Sequence, residues 1–301
     1  MTTGKMHADE VETDAALVQR LLATQFPGWA GLPIAPVASS GTDNALYRLG
    51  AELAVRLPRI DWATPQIAKE RHWLPRLAPH LPLAIPVQLA VGEPGEGYPY
   101  QWSIYRWLGG EVVSPAQVAD QRQLARDLAS FVAALHAIDT TGGPLAGEDS
   151  GRGVPLAERD EEVHACLAQL DGMLDIEAAL AEWRAALRTP VWDAAPVWVH
   201  GDLQPGNLLA VDGRLSAVID FGCLAVGDPA CDLLPAWNYF DATTREVYRA
   251  ALDVDDATWA RGRGWALSVA LIALPYYQHT NPVLAEQSRR TLSAVLAGRV
   301  H

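Results

Sequence analysis

One stretch, residues 197–234 (VWVHGDLQPGNLLAVDGRLSAVIDFGCLAVGDPACDLL), constrains the fold more than any other part of the chain. Residues 197–199 read as a short buried strand, and His200-Gly201-Asp202 leaves it into a loop. Two apolar runs, 208–211 and 215–219, are separated by Asp212-Gly213, a pair favoured in type I′ hairpin turns because both central residues take positive φ. Pairing around that turn sets Val211 against Arg214 and Leu208 against Ala217, so Asn207 falls near Val218. Asp220 then lies two residues further along, on the order of 7 Å from Asn207 at ~3.4 Å per residue. Asp202, Asn207 and Asp220 thereby share one hairpin mouth. Two hard-oxygen groups with a further carboxylate beside them suit a divalent cation with a nearby nucleophile.

The rest of the chain bounds the setting of that mouth. With 301 residues it can bury a sizeable core, as one large domain or as two lobes. Its 23 basic against 36 acidic residues give a formal charge of −13, which argues against broad binding to nucleic acid or to anionic membranes. Cys166, Cys223 and Cys231 have no metal-ligand spacing, and an odd number of cysteines argues against a disulfide framework. The polar start MTTGKMHADEVETD carries no signal peptide. The longest apolar run, 265–277, is interrupted by Ser268 and Pro275 and is too short to span a bilayer. The expectation is a reduced, cytoplasmic, soluble protein, monomer or homodimer, with neither nucleic acid nor membrane as a partner.

Upstream, residues 13–26 place Ala15, Val18, Leu21, Leu22 and Phe26 near a helical period. Residues 37–49 then read as a strand, a small polar turn and a strand, and the turn Ser39-Ser40-Gly41-Thr42-Asp43-Asn44 has the small residues that let backbone N–H groups drape over a phosphate. In the strand 53–57, Leu53, Val55 and Leu57 share one face and Arg56 points to the other. Thr64-Pro65 offers an N-cap and a first helical residue. Along that helix Ile67, Glu70, Leu74 and Leu77 form a stripe in which the charge of Glu70 wants a partner, and Arg56 is the candidate. Residues 100–108 read as a strand ended by Gly109-Gly110, the expected boundary between lobes 1–108 and 109–301. Ser114-Pro115-Ala116-Gln117 has the form of a capping box opening a long helix. Strands with one helix, then helices with one embedded hairpin, indicate an α+β protein.

His200-Gly201-Asp202-Leu203-Gln204-Pro205-Gly206-Asn207, followed by Ile219-Asp220-Phe221-Gly222, resembles the catalytic core of the aminoglycoside phosphotransferase family, as does the segment 227–233 (GDPACDL). The resemblance implies a bilobal protein-kinase-like fold, with a small antiparallel-sheet N-lobe and a larger, mainly helical C-lobe. It also implies ATP and Mg2+ as cofactors. Asp202 would accept or orient the proton of a substrate hydroxyl, while Asn207 and Asp220 would hold magnesium. His200 would brace the loop rather than do chemistry. Ser40, Gly41 and Thr42 would lie in the phosphate-covering loop, and backbone groups of Arg106 and Leu108 would meet the adenine edge. The strand residue that pairs the α/β-phosphates should be Lys, partnered by a helix Glu; here Arg56 and Glu70 occupy those positions. An Arg keeps the charge and clamps phosphate bidentately, but its fork is larger than an ammonium.

The partner so implied is a small-molecule acceptor with a hydroxyl group, of the aminoglycoside type, which connects the chain with antibiotic resistance. Candidate lining groups are Trp237, Asn238, Tyr239, Tyr276 and Tyr277, with the carboxylates Asp160, Glu161, Glu162 and Asp241. The alternatives are a kinase of a macrolide or of a choline- or homoserine-like metabolite, and a non-catalytic nucleotide-binding regulator.

Overall fold

The computed structural model describes residues 10–38, 41, 43–114, 116–148 and 150–297. Asp14 accepts from Leu17 N at 2.6 Å and so caps α1 (Ala15–Gln25), which buries Leu17, Val18, Leu21 and Leu22. Next come β1 (Ile34–Pro36), β2 (Asn44–Leu49) and β3 (Leu53–Pro58). In β2 the buried residues alternate, Ala45, Tyr47 and Leu49, as a strand with one covered face requires. Helix α2 (Pro65–Leu77) follows, then β4 (Gln88–Gly92) and β5 (Trp102–Arg106). The five strands form one antiparallel sheet in the order β1-β2-β3-β5-β4.

Helix α2 begins at Pro65 as expected, but Thr64 does not cap it. Thr64 is already helical, with φ −68° and ψ −42°, because it continues the short 3-10 turn Asp61–Ala63. The stripe Ile67, Glu70, Leu74 and Leu77 is buried throughout. The sheet and α1 pack around Trp102, Ile104, Val55 and Leu57, whereas Leu74 and Leu77 join the cluster built by the helices downstream.

After β6 (Glu111–Val112) runs α3 (Gln121–His136). The expected capping box at 114–117 does not open this helix, and Pro115 lies outside the described residues. Ser114 and Gln117 instead close a turn, with Gln117 N donating to Ser114 O at 3.0 Å. Asp120 takes the cap by accepting from Gln123 N at 2.9 Å. Helices α4 (Asp160–Leu167) and α5 (Ile176–Leu187) lead to β7 (Val197–Val199), which pairs with β10 (Ala225–Gly227). Between them β8 (Leu208–Val211) and β9 (Arg214–Val218) form the expected hairpin, flanked by β6. Asp212 and Gly213, at φ 49° and 74°, are both left-handed, as a type I′ turn demands.

The hairpin register differs from the sequence expectation by one residue. Val211 faces Arg214, but Leu208 faces Val218 rather than Ala217. The cause is a bulge: Leu209 faces Ala217 and Ala210 faces Leu215, leaving Ser216 as the extra residue, its hydroxyl donating to Leu209 O at 3.1 Å. The shift brings Asp220 nearer the mouth, since Ile219 N now donates to Asn207 O at 2.9 Å.

The chain closes with α6 (Pro235–Asn238), α7 (Ala242–Leu252), α8 (Asp256–Tyr277) and α9 (Pro282–Leu296). The fold is α+β and protein-kinase-like, an antiparallel sheet followed by a mostly helical region. Among the described residues no helix is long and apolar enough to cross a membrane.

At Gly92 an added Cβ would stand 2.1 Å from Cε2 of the fully buried Trp102 ring, while at Gly31 it would meet nothing within 4 Å. Gly92→Ala is expected to lower stability by about 1–3 kcal/mol through overpacking, and Gly31→Ala by less than about 0.5 kcal/mol. Urea unfolding of the two variants checks both.

Candidate active site

The loop after β7 is fixed by a single carboxylate. Asp232, fully buried, accepts from His200 N at 2.9 Å and from Gly201 N at 2.8 Å. It also lies 3.3 Å from His136 Nε2, on α3. His200 is itself fully buried and braces the loop. Its Nδ1 accepts from Asp202 N at 3.2 Å and its Nε2 sits 3.1 Å from Ile219 O. One neutral tautomer, protonated on Nε2, satisfies both contacts. The ring meets Phe221 edge-on, with centroids 4.6 Å apart.

Three sequence-chosen residues meet at this place. Asn207 Nδ2 donates to Asp202 O at 2.8 Å and to Asp202 Oδ2 at 3.1 Å. Gln204 Nε2 adds a donor to the same Oδ2 at 2.9 Å. Asp220 enters from β9 with φ 64° and ψ 73°, a left-handed backbone that turns the chain sharply, and its side chain is exposed. Burial pushes the Asp202 carboxyl above the usual carboxylate range; the Arg152 guanidinium opposes that rise and the Asp220 carboxylate adds to it.

The oxygen donors fit magnesium. With Asn207 Nδ2 committed to Asp202, the amide Oδ1 remains for a cation. Asp220 Oδ1 has one long contact, Gly222 N at 3.4 Å. Among the described residues no group of three or more His, Cys, Asp or Glu gathers as a metal cage. Two protein ligands suffice for magnesium, which takes phosphate and water oxygens for the rest of its shell.

Arg56 and Glu70 pair as expected, with Nη1 and Oε1 2.7 Å apart, and the other arm of the fork takes Gln66 Oε1 at 2.7 Å. Tyr105 donates to the second Glu70 oxygen. Burial pulls the Arg56 guanidinium down, but Glu70, with Tyr105 and Asp220, more than reverses this and keeps it charged. Helix α2 also reaches the Asp220 turn: Lys69 Nζ donates to Gly222 O at 2.8 Å, and a Cβ on Gly222 would come within 2.8 Å of Gln66 Oε1. Strand, helix and turn are joined through α2.

Ser40 and Thr42 lie outside the described residues, and Gly41 is exposed. Arg106 N is already committed to Val87 O at 2.9 Å, because Arg106 is the last residue of β5. The N–H of Arg106 is thereby taken up next to the sheet. Leu108 follows the strand, half-buried. Of the expected acceptor-lining groups, Asp160 accepts from Trp183 Nε1 at 2.7 Å and Asp241 caps α7. Trp237 and Tyr239 are buried, and Asn238 Nδ2 donates to Leu203 O at 2.9 Å. Tyr276 is exposed.

Sequence reasoning gave no role to Asp232, Arg152, Gln204, Gln66 or Lys69. For Asp232 a signal existed: a lone carboxylate in the run 230–237 (ACDLLPAW) has to find buried donors. The link from Gln287 Nε2 on α9 to Gln204 Oε1, 3.0 Å long, spans more than eighty positions and left no mark in the sequence.

The family model described as "Phosphotransferase enzyme family" matches residues 34–265. An aminoglycoside 3'-phosphotransferase of Escherichia coli is 31% identical over 120 residues, covering 37% of this chain and 41% of the relative, so the match spans less than half of that relative's length. Among solved structures, the GDP and kanamycin complex of APH(2")-IIia superposes with a TM-score of 0.75 at 19% identity, covering 94% of this chain and 99% of that one. A macrolide 2'-phosphotransferase of Brachybacterium faecium, without ligand, gives 0.61 at 23% identity over 96% and 99%.

Replacing Lys69 by Met keeps the length of the side chain and removes its bond to Gly222 O. Lys69→Met is expected to lower turnover about tenfold, a change of about 1.4 kcal/mol in barrier height, while thermal unfolding shifts by only a few degrees. A loss of folded protein in place of lost turnover would make Lys69 a packing residue.

Proposed function

This chain belongs to the phosphotransferase enzyme family, and from that premise we propose that it transfers the γ-phosphate of ATP to a hydroxyl of a small-molecule acceptor, of the aminoglycoside type. The observation that carries this reading is the contact set at the hairpin mouth. Asn207 bonds to Asp202 through its side chain and to Ile219 through its backbone, so Asp202, Asn207 and Asp220 form one unit. On this reading residues 1–108 cover the nucleotide and residues 109–301 carry the catalytic loop and the acceptor.

The hydroxyl oxygen attacks the γ-phosphorus, and its bond to phosphorus forms as the bond to the oxygen of departing ADP breaks. Asp202 orients the hydroxyl and receives its proton. Asn207 and Asp220 would hold a magnesium ion, which supplies charge neutralisation on the phosphate oxygens. Arg56, fixed by Glu70 and Gln66, takes the α- and β-phosphate oxygens. Gly41 lies in the phosphate-covering loop, and Leu108 meets the base.

A second reading, a macrolide-type acceptor, has its own support. Two of the carboxylates that would attract a polycation are occupied, Asp160 by Trp183 and Asp241 by the α7 cap. The exposed ring of Tyr276 lies near the end of α8, next to α9, which reaches the catalytic loop through Gln287 and Gln204. Apolar area of that kind favours a macrolide face over a polyamine.

Phosphate release and product formation are measured with Mg-ATP and with Mg-GTP against kanamycin, gentamicin, a macrolide, choline and homoserine. Acceptor-stimulated ATP turnover is expected with one antibiotic class, and Asp202→Asn is expected to reduce kcat by about 10²–10⁴-fold. Turnover that no acceptor stimulates, together with an inert Asp202→Asn, contradicts the enzyme reading and leaves a nucleotide-binding regulator.

Arg56→Ala is expected to raise the KM for ATP about tenfold, or ~1.4 kcal/mol, with the acceptor KM changed far less. It also strands the buried Glu70, so Arg56→Lys serves as the folded control. Equal shifts in both KM values would remove Arg56 from the nucleotide site.

A further inference from the structure

Helix α9 reaches the catalytic loop along two routes that the mechanism above does not use. Gln287 and Arg290, three residues apart in α9, are neighbours on its surface. Arg290 donates to Tyr239 O, directly after α6, and Asn238 of α6 donates to Leu203 O at 2.9 Å. The backbone between Asp202 and Gln204 is therefore held from α6, which α9 holds in turn. The second route runs through side chains. Gln287 Nε2 donates to Gln204 Oε1 at 3.0 Å, and Gln204 Nε2 donates to Asp202 Oδ2 at 2.9 Å. Helix α9 is a firm base for both, capped by Asn281, which accepts from Leu284 N at 3.2 Å, and buried along Ala285, Ser288, Thr291 and Leu292.

The chemistry of the groups sets the direction of this relay. A carboxylate acting as a base only accepts, so Gln204 presents its NH2 group to Asp202 and its carbonyl oxygen to the far side. Gln287 supplies the donor there. A flipped Gln204 would set two acceptors against each other at Asp202 and two donors at Gln287, so Gln287 selects the orientation of Gln204. The consequence falls on Asp202. Its Oδ2 is taken by Gln204 and, at 3.1 Å, by Asn207. Among the described residues Oδ1 accepts no hydrogen bond, since Arg152 Nη2 stands 3.7 Å away, beyond hydrogen-bond reach. Oδ1 is the oxygen left for the acceptor hydroxyl. Of the two amides on Oδ2, Asn207 also serves the metal side of the site, whereas Gln204 answers to α9. We propose that Gln204 and Gln287 are positioning residues for phosphoryl transfer: through this pair of amides α9 holds Asp202 by Oδ2 and keeps Oδ1 turned to the acceptor.

The inference rests on the proposed role of Asp202, and one experiment separates their failures. The full chain and its variants Gln287→Met, Gln287→Lys, Gln204→Met, Gln204→Met/Gln287→Met and Asp202→Asn are assayed for kcat, KM and thermal unfolding. The assay uses Mg-ATP and the most active acceptor of the panel, or water where basal ATP hydrolysis is the only turnover. Met matches the length of Gln and donates nothing. Gln204→Met is expected to lower kcat at least about tenfold, and Gln287→Met about fivefold, with the KM for ATP within about twofold in both. Gln287→Lys, which restores a donor toward Gln204 Oε1, is expected to recover kcat to within about twofold of wild type. In the Gln204→Met background Gln287→Met is expected to cost nothing more, because the relay is already cut. A folded Gln287→Met with unchanged kcat overturns the proposal, as does a loss that recurs in full in the Gln204→Met background. So does a Gln287→Lys that loses as much turnover as Gln287→Met, which would make position 287 a packing site. Where Gln204→Met does not fold, the comparison of Met with Lys at 287 decides. If Asp202→Asn alone leaves turnover intact, it is the proposed function that falls.

Discussion

The Asp232 carboxylate holds the site together. It accepts backbone N–H bonds from His200 and Gly201 while lying against His136, so one buried anion joins the catalytic loop to α3 and to the turn before α6. Hydrogen bonds from backbone amides to a charged acceptor are stronger than neutral ones, and leaving those amides unpaired in the interior would cost about 1–3 kcal/mol each. Tyr248 on α7 adds a bond to Asp232 O at 3.0 Å. The positions of Asp202 and Asn207 follow from this anchor, because His200, bonded through both ring nitrogens, transmits it to Ile219 and so to Asp220.

Helix α2 is the second connecting element. Its Glu70 completes Arg56, its Gln66 takes the other arm of the Arg56 fork, and its Lys69 reaches the carbonyl of Gly222. A buried ion pair contributes little net stability once desolvation is counted. Its value here is geometric: the planar fork fixes Arg56 against two acceptors at once, which an ammonium would do less rigidly. Departure from lysine at this strand position is matched by a second acceptor, Gln66.

The hairpin was legible because Asp212-Gly213 states its turn type and the flanking runs state their faces. Its register was not, since the bulge at Ser216 depends on a hydroxyl-to-carbonyl bond and on the bridge of Ala84 to Ala217, a contact made across the chain. The Arg56–Glu70 pair was legible for the opposite reason: a charge inside an apolar stripe has few ways to be satisfied. The long helix after Gly110 was legible but its start was not, because two cap sequences compete within a few residues and only packing chooses Asp120. The approach of Arg152 to Asp202 was illegible because it depends on the absence of a side chain at Gly201, far along the sequence, where the two loops cross.

The central claim is that Asn207 and Asp220 form the metal side of one site and Asp202 its acceptor side. A crystal structure with a non-hydrolysable ATP analogue and magnesium tests it most directly. The account predicts a metal ion about 2.1 Å from an Asn207 amide oxygen and an Asp220 carboxylate oxygen, with Arg56 on the phosphates and Asp202 free of the metal, facing the open side of the γ-phosphate. A nucleotide bound away from the hairpin mouth, or a metal held by Asp202 with Asp220 turned aside, would contradict it.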